Sequence, residues 1–332
     1  MHPTQSVAGA RAAHAGSDRN RALCARLPTL APLLARLNDC KRIRTARDPA
    51  RSLAGRRFAR AWAALAADPR PEATAAIAVR DAAAALVSVE LAGVDAHALR
   101  RGGLADADIA DVLSRAIAHA GRALAPGWRA RLVGAVPALL AEPESLRHTL
   151  PFVRPLQDQP RAGATHPREA RLVLEPPESH ADHAWAVAVT AVLIAGDAGG
   201  ADADLASAFL AGLGHHLHNA ELPDAGFAGE ELLGAHLAPL VARLTDEALA
   251  ALPAPLAASV RASFGLLRAP DSPAAAAFHA ADVIDRVLEV VHFDRVARFR
   301  KEHALDTLGL VHPGPLQAFQ DRVLAAAGLV PR

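Results

Sequence analysis

Hydrophobic residues recur at helical spacing along most of this chain. In the segment Leu23–Leu37, one helix face carries Leu27, Leu30, Leu33, Leu34 and Leu37. The segment Ser52–Ala67 repeats the pattern and ends at Asp68-Pro69, a typical helix stop. The same spacing predicts further helices at Ala73–Ala92, Asp106–Leu124, Trp128–Ala141, His183–Gly196, Leu205–Ala220, Glu230–Leu244, Asp246–Leu252, Leu256–Leu267, Pro273–Arg300 and Pro315–Ala327. Strand-like alternation is limited to Ala170–Leu174, so we predict an all-α helical bundle.

Prolines and arginines accumulate between Leu150 and Glu178 and interrupt the helical pattern. A structureless stretch of this length is usually a linker or a functional loop. We therefore predict an N-terminal helical region of unknown role at residues 1–150, a connector at 151–178 and a C-terminal helical domain at 179–332.

Composition argues against a nucleic-acid-binding, membrane-spanning or secreted protein. The formal net charge of +1 gives no general attraction to nucleic acid or to an anionic membrane, and no apolar run reaches the roughly 18–20 residues of a membrane span. The two cysteines, Cys24 and Cys40, cannot form a disulfide framework, and Met1–Asn20 has no apolar signal core, so we expect a cytoplasmic protein. The motifs GxGxxG, GxSxG and the P-loop are missing from the sequence. The sequence does not determine whether the chain forms an oligomer.

The candidate chemistry lies in three segments of the C-terminal half. The segment Leu213–Asp224 carries three histidines, His215, His216 and His218, followed by Glu221 and Asp224. His180 and His183 precede it, and Asp282, Asp285 and Arg286 follow it on a later predicted helix. Imidazole is the commonest metal-binding side chain, and nitrogen donors suit zinc, iron, manganese, nickel or cobalt.

Local patterns leave alternatives open at several of these positions. Asp282 lies beside an apolar stripe, where a carboxylate is costly to bury unless Arg286 or a metal balances it. His180 competes with His183 as a ligand, and either could instead cap a helix. Gly212 and Gly214 weaken a helix, so their presence beside the histidines indicates close approach by another group.

The three segments together resemble the HD-domain metal-dependent phosphohydrolases, nearest to their nucleotidase-like branch. The matching strings are His183-Ala-Trp-Ala-Val-Ala-Val, Phe209-Leu-Ala-Gly-Leu-Gly-His-His and Phe278-His-Ala-Ala-Asp-Val-Ile-Asp-Arg, so the similarity covers roughly residues 176–291. The resemblance implies a helical HD-like domain in which His183, His215, His216 and Asp282 bind metal.

Two departures from the family pattern change what the resemblance implies. The family's His-Asp doublet is His215-His216 here, and a neutral imidazole cannot bridge two ions as a carboxylate can. We therefore expect one divalent transition metal, Mn, Co, Fe, Ni or Zn, and not a dinuclear oxygenase centre. Asn219 stands where nucleotidase-like members tend to carry a glutamate. This leaves His218, Glu221 and Asp224 as candidates for proton transfer, although Asp224 also lies in a turn sequence.

Arginines of the connector are candidates for phosphate binding, because a guanidinium matches a phosphate with paired hydrogen bonds. Arg154 and Arg171 are the predicted substrate-binding residues, with Arg161 a further candidate. The basic run that begins at Lys41 lacks interleaved aromatic residues, so we predict a solvated helix face there and no nucleic-acid binding.

Two functions of different class follow from these observations. The first is a metal-dependent phosphohydrolase that acts on a small phosphomonoester, such as a nucleotide, through a water activated by a single metal. The alternative is a catalytically degenerate HD-like module that binds a metal or a nucleotide and serves regulation.

Overall fold

The computed structural model describes residues 4–46, 48–146, 149–163, 172, 174–297, 300–302, 305, 306 and 309–330, with the backbone alone for residues 4–19, 296 and 297. The α-helices of these ranges are, in chain order, α1 Thr4–Asn38, α2 Leu53–Ala67, α3 Pro71–Leu91, α4 Ala96–Arg101, α5 Asp106–Ala120, α6 Pro126–Val133, α7 Val136–Leu140, α8 Val153–Asp158, α9 His180–Asp197, α10 Asp202–Gly214, α11 Gly226–Leu233, α12 Leu237–Ala250, α13 Ala254–Ser263, α14 Pro273–Ala297 and α15 Gln317–Ala326.

The prediction of an all-α protein is confirmed. Extended strands are absent from the described ranges, where isolated bridges join Thr45 to Asp48 and Pro160 to Ser179. The strand suggested at Ala170–Leu174 lies outside the described residues except for Leu172 and Leu174. Every helix in the described part of the chain is too short or too polar to cross a membrane.

Helix α9 lies at the centre of the fold. Its sequence is apolar on all sides, and every residue from His180 to Gly196 is buried. The helix begins at a capping box, in which the Ser179 side chain accepts a hydrogen bond from the Asp182 backbone and the Asp182 carboxylate accepts one from the Ser179 backbone. This cap fixes the first turn of α9, where His183 lies.

Helices α2, α10 and α14 pack around α9. Gly212 of α10 makes the closest approach, because a Cβ added there would lie 2.4 Å from the Ala188 Cα of α9. The expectation of close approach at Gly212 is thus confirmed, and the approaching group is a helix backbone. One hydrophobic core includes residues from the N-terminal helices and from α9, α10 and α14. The division of the chain at 150 and 178 stays a prediction.

The helix predicted at Leu205–Ala220 is wrong in its extent. Helix α10 ends at Gly214, His215 is its C-terminal cap, and Leu217–Ala220 forms a separate 3₁₀ turn. The His216 backbone, at φ −115° and ψ 20°, has left the α-helical conformation. The doublet therefore lies on a helix terminus, where the change of direction turns both rings toward α9.

Candidate metal centre

Three histidine rings converge where α9, the end of α10 and α14 meet. One ring nitrogen from each of His183, His215 and His216 lies within 4.8 Å of the others. His183 Nε2 lies 3.2 Å from His215 Nε2 and 3.4 Å from Asp282 Oδ1. Because these two distances share one atom, Asp282 lies well within a helix diameter, about 10 Å, of His215. Of the four residues that the family resemblance selected, the structure brings the three histidines into one cluster, and Asp282 contacts that cluster through His183.

Each of the three rings has a hydrogen-bond partner at Nδ1. His183 Nδ1 lies 2.7 Å from Asp285 Oδ2, and His215 Nδ1 lies 2.8 Å from the Gly212 carbonyl oxygen. His216 Nδ1 lies 2.9 Å from Asn219 Oδ1, while the Asn219 amide donates to the Leu222 carbonyl. Metal-ligating histidines usually have such a partner on the nitrogen that does not face the metal, since it fixes the tautomer and the ring orientation.

These partners decide which nitrogen carries the hydrogen. A carbonyl oxygen can only accept, so His215 Nδ1 donates to Gly212. The Asp285 carboxylate likewise accepts from His183 Nδ1. Each Nε2 then presents a lone pair in the neutral imidazole, and two such lone pairs face each other 3.2 Å apart beside the Asp282 carboxylate.

Two facing lone pairs repel each other. A cation between them would be coordinated by both, and the repulsion would be removed. Metal–nitrogen bonds of about 2.0–2.1 Å place neighbouring nitrogens about 3.0–3.5 Å apart, which matches the observed separation. The three imidazole nitrogens therefore suit one divalent transition metal, and the Asp282 carboxylate, which contacts His183, lies beside them.

Burial favours the uncharged form of His215 and His216. Desolvation and the neighbouring His183 lower the pKa of His215 to about 3, and desolvation and His215 lower the pKa of His216 well below its usual value. Burial opposes ionisation of Asp282, but Arg286 and His183 outweigh it and hold the pKa of Asp282 well below its usual range. His215 and His216 thus offer neutral nitrogen donors beside the ionised Asp282 carboxylate, as metal binding requires.

The histidines open onto a cavity of about 380 Å³. Its polar lining includes His215, His216, His218, Asp282, Arg161 and Arg286. Phe227 and His312, whose rings stack 4.8 Å apart, line it as well. A small molecule in this cavity would contact the histidine cluster and two guanidinium groups together.

Backbone pairing places Arg161 at the cavity. Arg161 N donates to the Glu178 carbonyl, and His180 N donates to the Gln159 carbonyl, so the start of α9 is held beside residues 159–161. Arg286 follows Asp282 by one helical turn and contacts its carboxylate at 3.4 Å. Arg161, predicted only as a further phosphate-binding candidate, and Arg286, predicted only as an ion-pair partner of Asp282, both line the cavity.

The predicted substrate-binding arginines lie elsewhere. Arg154 is exposed on α8 and ion-pairs Asp158 one helical turn away, so the structure does not bring it to the cavity. Arg171 lies outside the described residues. Prolines interrupt the connector, so its arginines show no helical or strand periodicity. The arginine that faces the cavity could not be predicted from such a pattern.

The three candidates for proton transfer have different positions. His218 lines the cavity, and burial lowers its pKa. Asp224 also lines it, but one oxygen accepts from Ala162 N at 3.0 Å and the other from Gly226 N at 2.8 Å. Through these two bonds, Asp224 holds Ala162 of the connector against the turn at Gly226. Glu221 is exposed, and the structure does not bring it to the histidine cluster.

His180 is buried next to the cluster, where its Nε2 lies 4.0 Å from Asp224 Oδ2, beyond hydrogen-bond distance. Its ring lies 5.0 Å from the His216 ring, and neither ring nitrogen has a hydrogen-bond partner. Burial and the charge of Arg161 lower its pKa to about 2. Of the two upstream histidines, His183 is the one whose ring lies against both His215 and Asp282.

The residues on the Nδ1 side of His183 were not predicted from the sequence. Lys41 was assigned to a solvated helix face, and this prediction is wrong. Its side chain is 2 % exposed and its ammonium contacts Glu178 and Asp285. One unusual feature was present in the sequence: of 36 lysines and arginines, only Lys41 and Lys301 are lysines.

Comparisons of the chain with models of protein families, with curated proteins and with solved structures found no match. What remains as a guide to function is the chemistry of the site itself.

Proposed function

We propose that this protein is a metal-dependent phosphohydrolase of the HD type that acts on a small phosphomonoester, such as a nucleotide. One observation carries the proposal: three imidazoles and the Asp282 carboxylate converge at a cavity that two guanidinium groups also line. In this proposal, His183, His215, His216 and Asp282 hold one divalent transition metal, and the cavity binds the substrate.

The identity of residue 216 supports a single ion. His216 offers one lone pair once its Nδ1 donates to Asn219, so it can serve one metal only. Asp285, the other carboxylate near the cluster, faces the Nδ1 side of His183, away from the Nε2 atom that meets His215. One ion with three nitrogen ligands and one carboxylate ligand uses all the donors that converge at this point.

A divalent cation, when bound, supplies Lewis-acid activation of water and of phosphoryl oxygens at neutral pH. The chain's own residues would bind and orient the ester. Arg161 and Arg286 each have a buried Nε–H without a partner, and guanidinium groups bind phosphate oxygens through charge-assisted hydrogen bonds. Arg161 also pairs with Glu178 and Arg286 with Asp282, so what each guanidinium would offer the ester is its unpartnered Nε–H.

Proton transfer is assigned to His218. It lines the cavity and is neutral at physiological pH because burial lowers its pKa, so it can accept a proton from an attacking water. Asp224 would hold the connector against the cavity wall, since both of its oxygens accept backbone hydrogen bonds. The apolar side chains of Leu233, Leu237 and Val241 on the same wall would limit the access of bulk water.

One observation favours the alternative, a module that binds a metal or a nucleotide without turnover. Asn219 cannot transfer a proton; its side-chain oxygen orients His216 and its side-chain nitrogen donates to the Leu222 carbonyl. A site that has lost a glutamate here could retain binding and lose catalysis.

Phosphatase assays separate the two functions. Purified protein would be incubated with p-nitrophenyl phosphate and with nucleoside monophosphates, each with added Mn²⁺ or Co²⁺. We expect hydrolysis that Asp282→Ala abolishes, because that change removes the carboxylate ligand, and that His218→Ala lowers by about 10²–10⁴-fold with metal still bound. Glu247→Ala, an exposed change on α12, is the matched control. Metal binding without hydrolysis of any ester would favour the binding module.

A further inference from the structure

A buried ion cluster lies behind His183, on the side away from the cavity. The Lys41 ammonium contacts Glu178, lies 2.6 Å from Asp285 Oδ2 and lies 3.5 Å from Glu289 Oε2. The side chains of Lys41, Glu178 and Asp285 are at most 6 % exposed. A single ammonium group from the N-terminal region is thus surrounded by three carboxylates, two of them on α14.

The charges of this cluster balance only when Lys41 is counted. Arg161 pairs with Glu178 at 3.1 Å, and Arg42 pairs with Glu289 at 2.7 Å. Lys41 is then the cation that balances Asp285. Ionised groups that are buried without a counter-charge are strongly destabilising, so the position of Asp285 depends on Lys41.

The hydrogen bonds of Asp285 connect Lys41 to the candidate metal centre. Asn38 Nδ2 donates to Asp285 Oδ1 at 3.2 Å, while Oδ2 accepts from both Lys41 Nζ at 2.6 Å and His183 Nδ1 at 2.7 Å. One carboxylate oxygen therefore holds the ammonium and the imidazole together. Displacement of Asp285 would rotate the His183 ring and redirect its Nε2.

We propose that Lys41 is a positioning residue of the metal site: it clamps Asp285, which fixes the His183 ring with Nε2 facing His215 and Asp282. The inference rests on the proposed metal site and adds to it a contribution from residues 1–150. Through Lys41 and Asn38, the N-terminal region sets the metal affinity of a centre whose ligands all lie in the C-terminal half.

The chemistry of lysine suits this position. Its ammonium carries three donors on one atom and can meet three carboxylates at once, whereas a planar guanidinium is larger and points its donors outward. The surrounding chain uses arginine almost everywhere, yet position 41 is lysine. Lys41→Arg should therefore keep the charge but shift Asp285.

The test measures metal affinity by calorimetric titration of Mn²⁺ and Zn²⁺ into metal-free protein. We expect Lys41→Met to weaken binding by about 10–100-fold, the usual effect of losing a group that orients a ligand. Lys41→Arg should weaken it by less. Arg57→Met is the matched control, because it removes a similarly buried cation whose ion pairs are with Asp81 and Glu142, and it should leave metal affinity unchanged.

A double variant keeps the test valid if Lys41→Met unfolds. Lys41→Met with Asp285→Asn removes one positive and one negative charge together. If Lys41 acts through Asp285, the double variant binds metal as Asp285→Asn alone does. A further loss of affinity in the double variant, or unchanged affinity in a folded Lys41→Met protein, overturns the proposal.

A second readout separates this inference from the proposed function. Nitrogen-15 NMR of the metal-free protein, with the His183 signals assigned through His183→Gln, reports which ring nitrogen carries the hydrogen. We expect a single Nδ1–H tautomer in the unmodified protein and a mixture in Lys41→Met. If the unmodified protein binds no metal, the proposed function fails, and an unchanged tautomer in Lys41→Met would independently overturn the role of Lys41.

Discussion

Replacing Gly212 with alanine would place a methyl group inside the contact between α9 and α10. The added Cβ would lie 2.4 Å from the Cα, 2.6 Å from the nitrogen and 2.8 Å from the Cβ of Ala188, whereas ordinary contacts are 3.4–4 Å. Because two of these atoms are helix backbone, they cannot rotate away. The helices must separate locally by about 1 Å, and overpacking of this kind typically costs about 1–3 kcal/mol.

The same displacement reaches the candidate metal centre. The Gly212 carbonyl accepts the hydrogen bond from His215 Nδ1, and α9 carries His183. Separating the helices therefore widens the 3.2 Å distance between the two Nε2 atoms. We expect Gly212→Ala to lower the free energy of unfolding by about 1–2 kcal/mol, after a gain in helix propensity of up to about 1 kcal/mol, and to weaken metal binding by about tenfold.

Urea denaturation of the metal-free protein and calorimetric titration of Zn²⁺ measure the two effects. Gly127→Ala is the matched control, since a Cβ at Gly127 of α6 meets nothing within 4 Å. That variant should be as stable as the unmodified protein or slightly more stable. A Gly212→Ala protein with an unchanged urea midpoint and unchanged metal affinity would refute the argument from helix contact.

Three further predictions concern acid stability, substrate binding and metal number. In the folded protein, the pKa of His180 is about 2 and that of His215 is about 3, below the ordinary value of 6.5. The unfolded chain therefore binds more protons than the folded protein between these values. The protein loses stability as the pH falls from about 6.5 toward 3. The free energy of unfolding, measured by urea denaturation, should fall below pH 6.5 by up to about 1.4 kcal/mol per group per pH unit, and equal urea midpoints at pH 7 and pH 5 would contradict this. Arg286→Gln should raise KM for a phosphomonoester at least tenfold, whereas exposed Arg243→Gln should not; equal KM values would remove Arg286 from the substrate site. His216→Asp should raise the metal content from one ion toward two, and an unchanged content would refute the argument from the bridging carboxylate.

Hydrophobic periodicity was sufficient to predict the helices that build the core. The helix predicted at Ser52–Ala67 is observed at Leu53–Ala67, with Ser52 as its cap, because the cap residue and the apolar stripe indicate the same start. Periodicity did not predict where α10 ends, because the apolar stripe continues into Leu217 beyond the break. Helix ends depend on local backbone geometry and tertiary contacts that a repeating pattern does not contain.

The candidate site was predictable as far as its histidines and Asp282, because metal-binding residue types are rare enough for a cluster to be noticed. The residues that orient them were not predictable. Asp285 and Lys41 are 244 positions apart in sequence, and only the packing of the N-terminal region against α9 and α14 brings them together. Arg161 was one of several arginines with no periodicity around them, so its inward position depends on pairing with Glu178.

The most direct test of the metal site is the metal content of purified protein after loading with Mn, Co, Fe, Ni or Zn and removal of excess ion. We expect about one divalent ion per chain in the unmodified protein and in His236→Ala, which alters an exposed histidine, and little or none in His215→Ala. Failure to retain any of these ions, or equal retention by His215→Ala, would contradict the assignment of His183, His215, His216 and Asp282 as one metal centre.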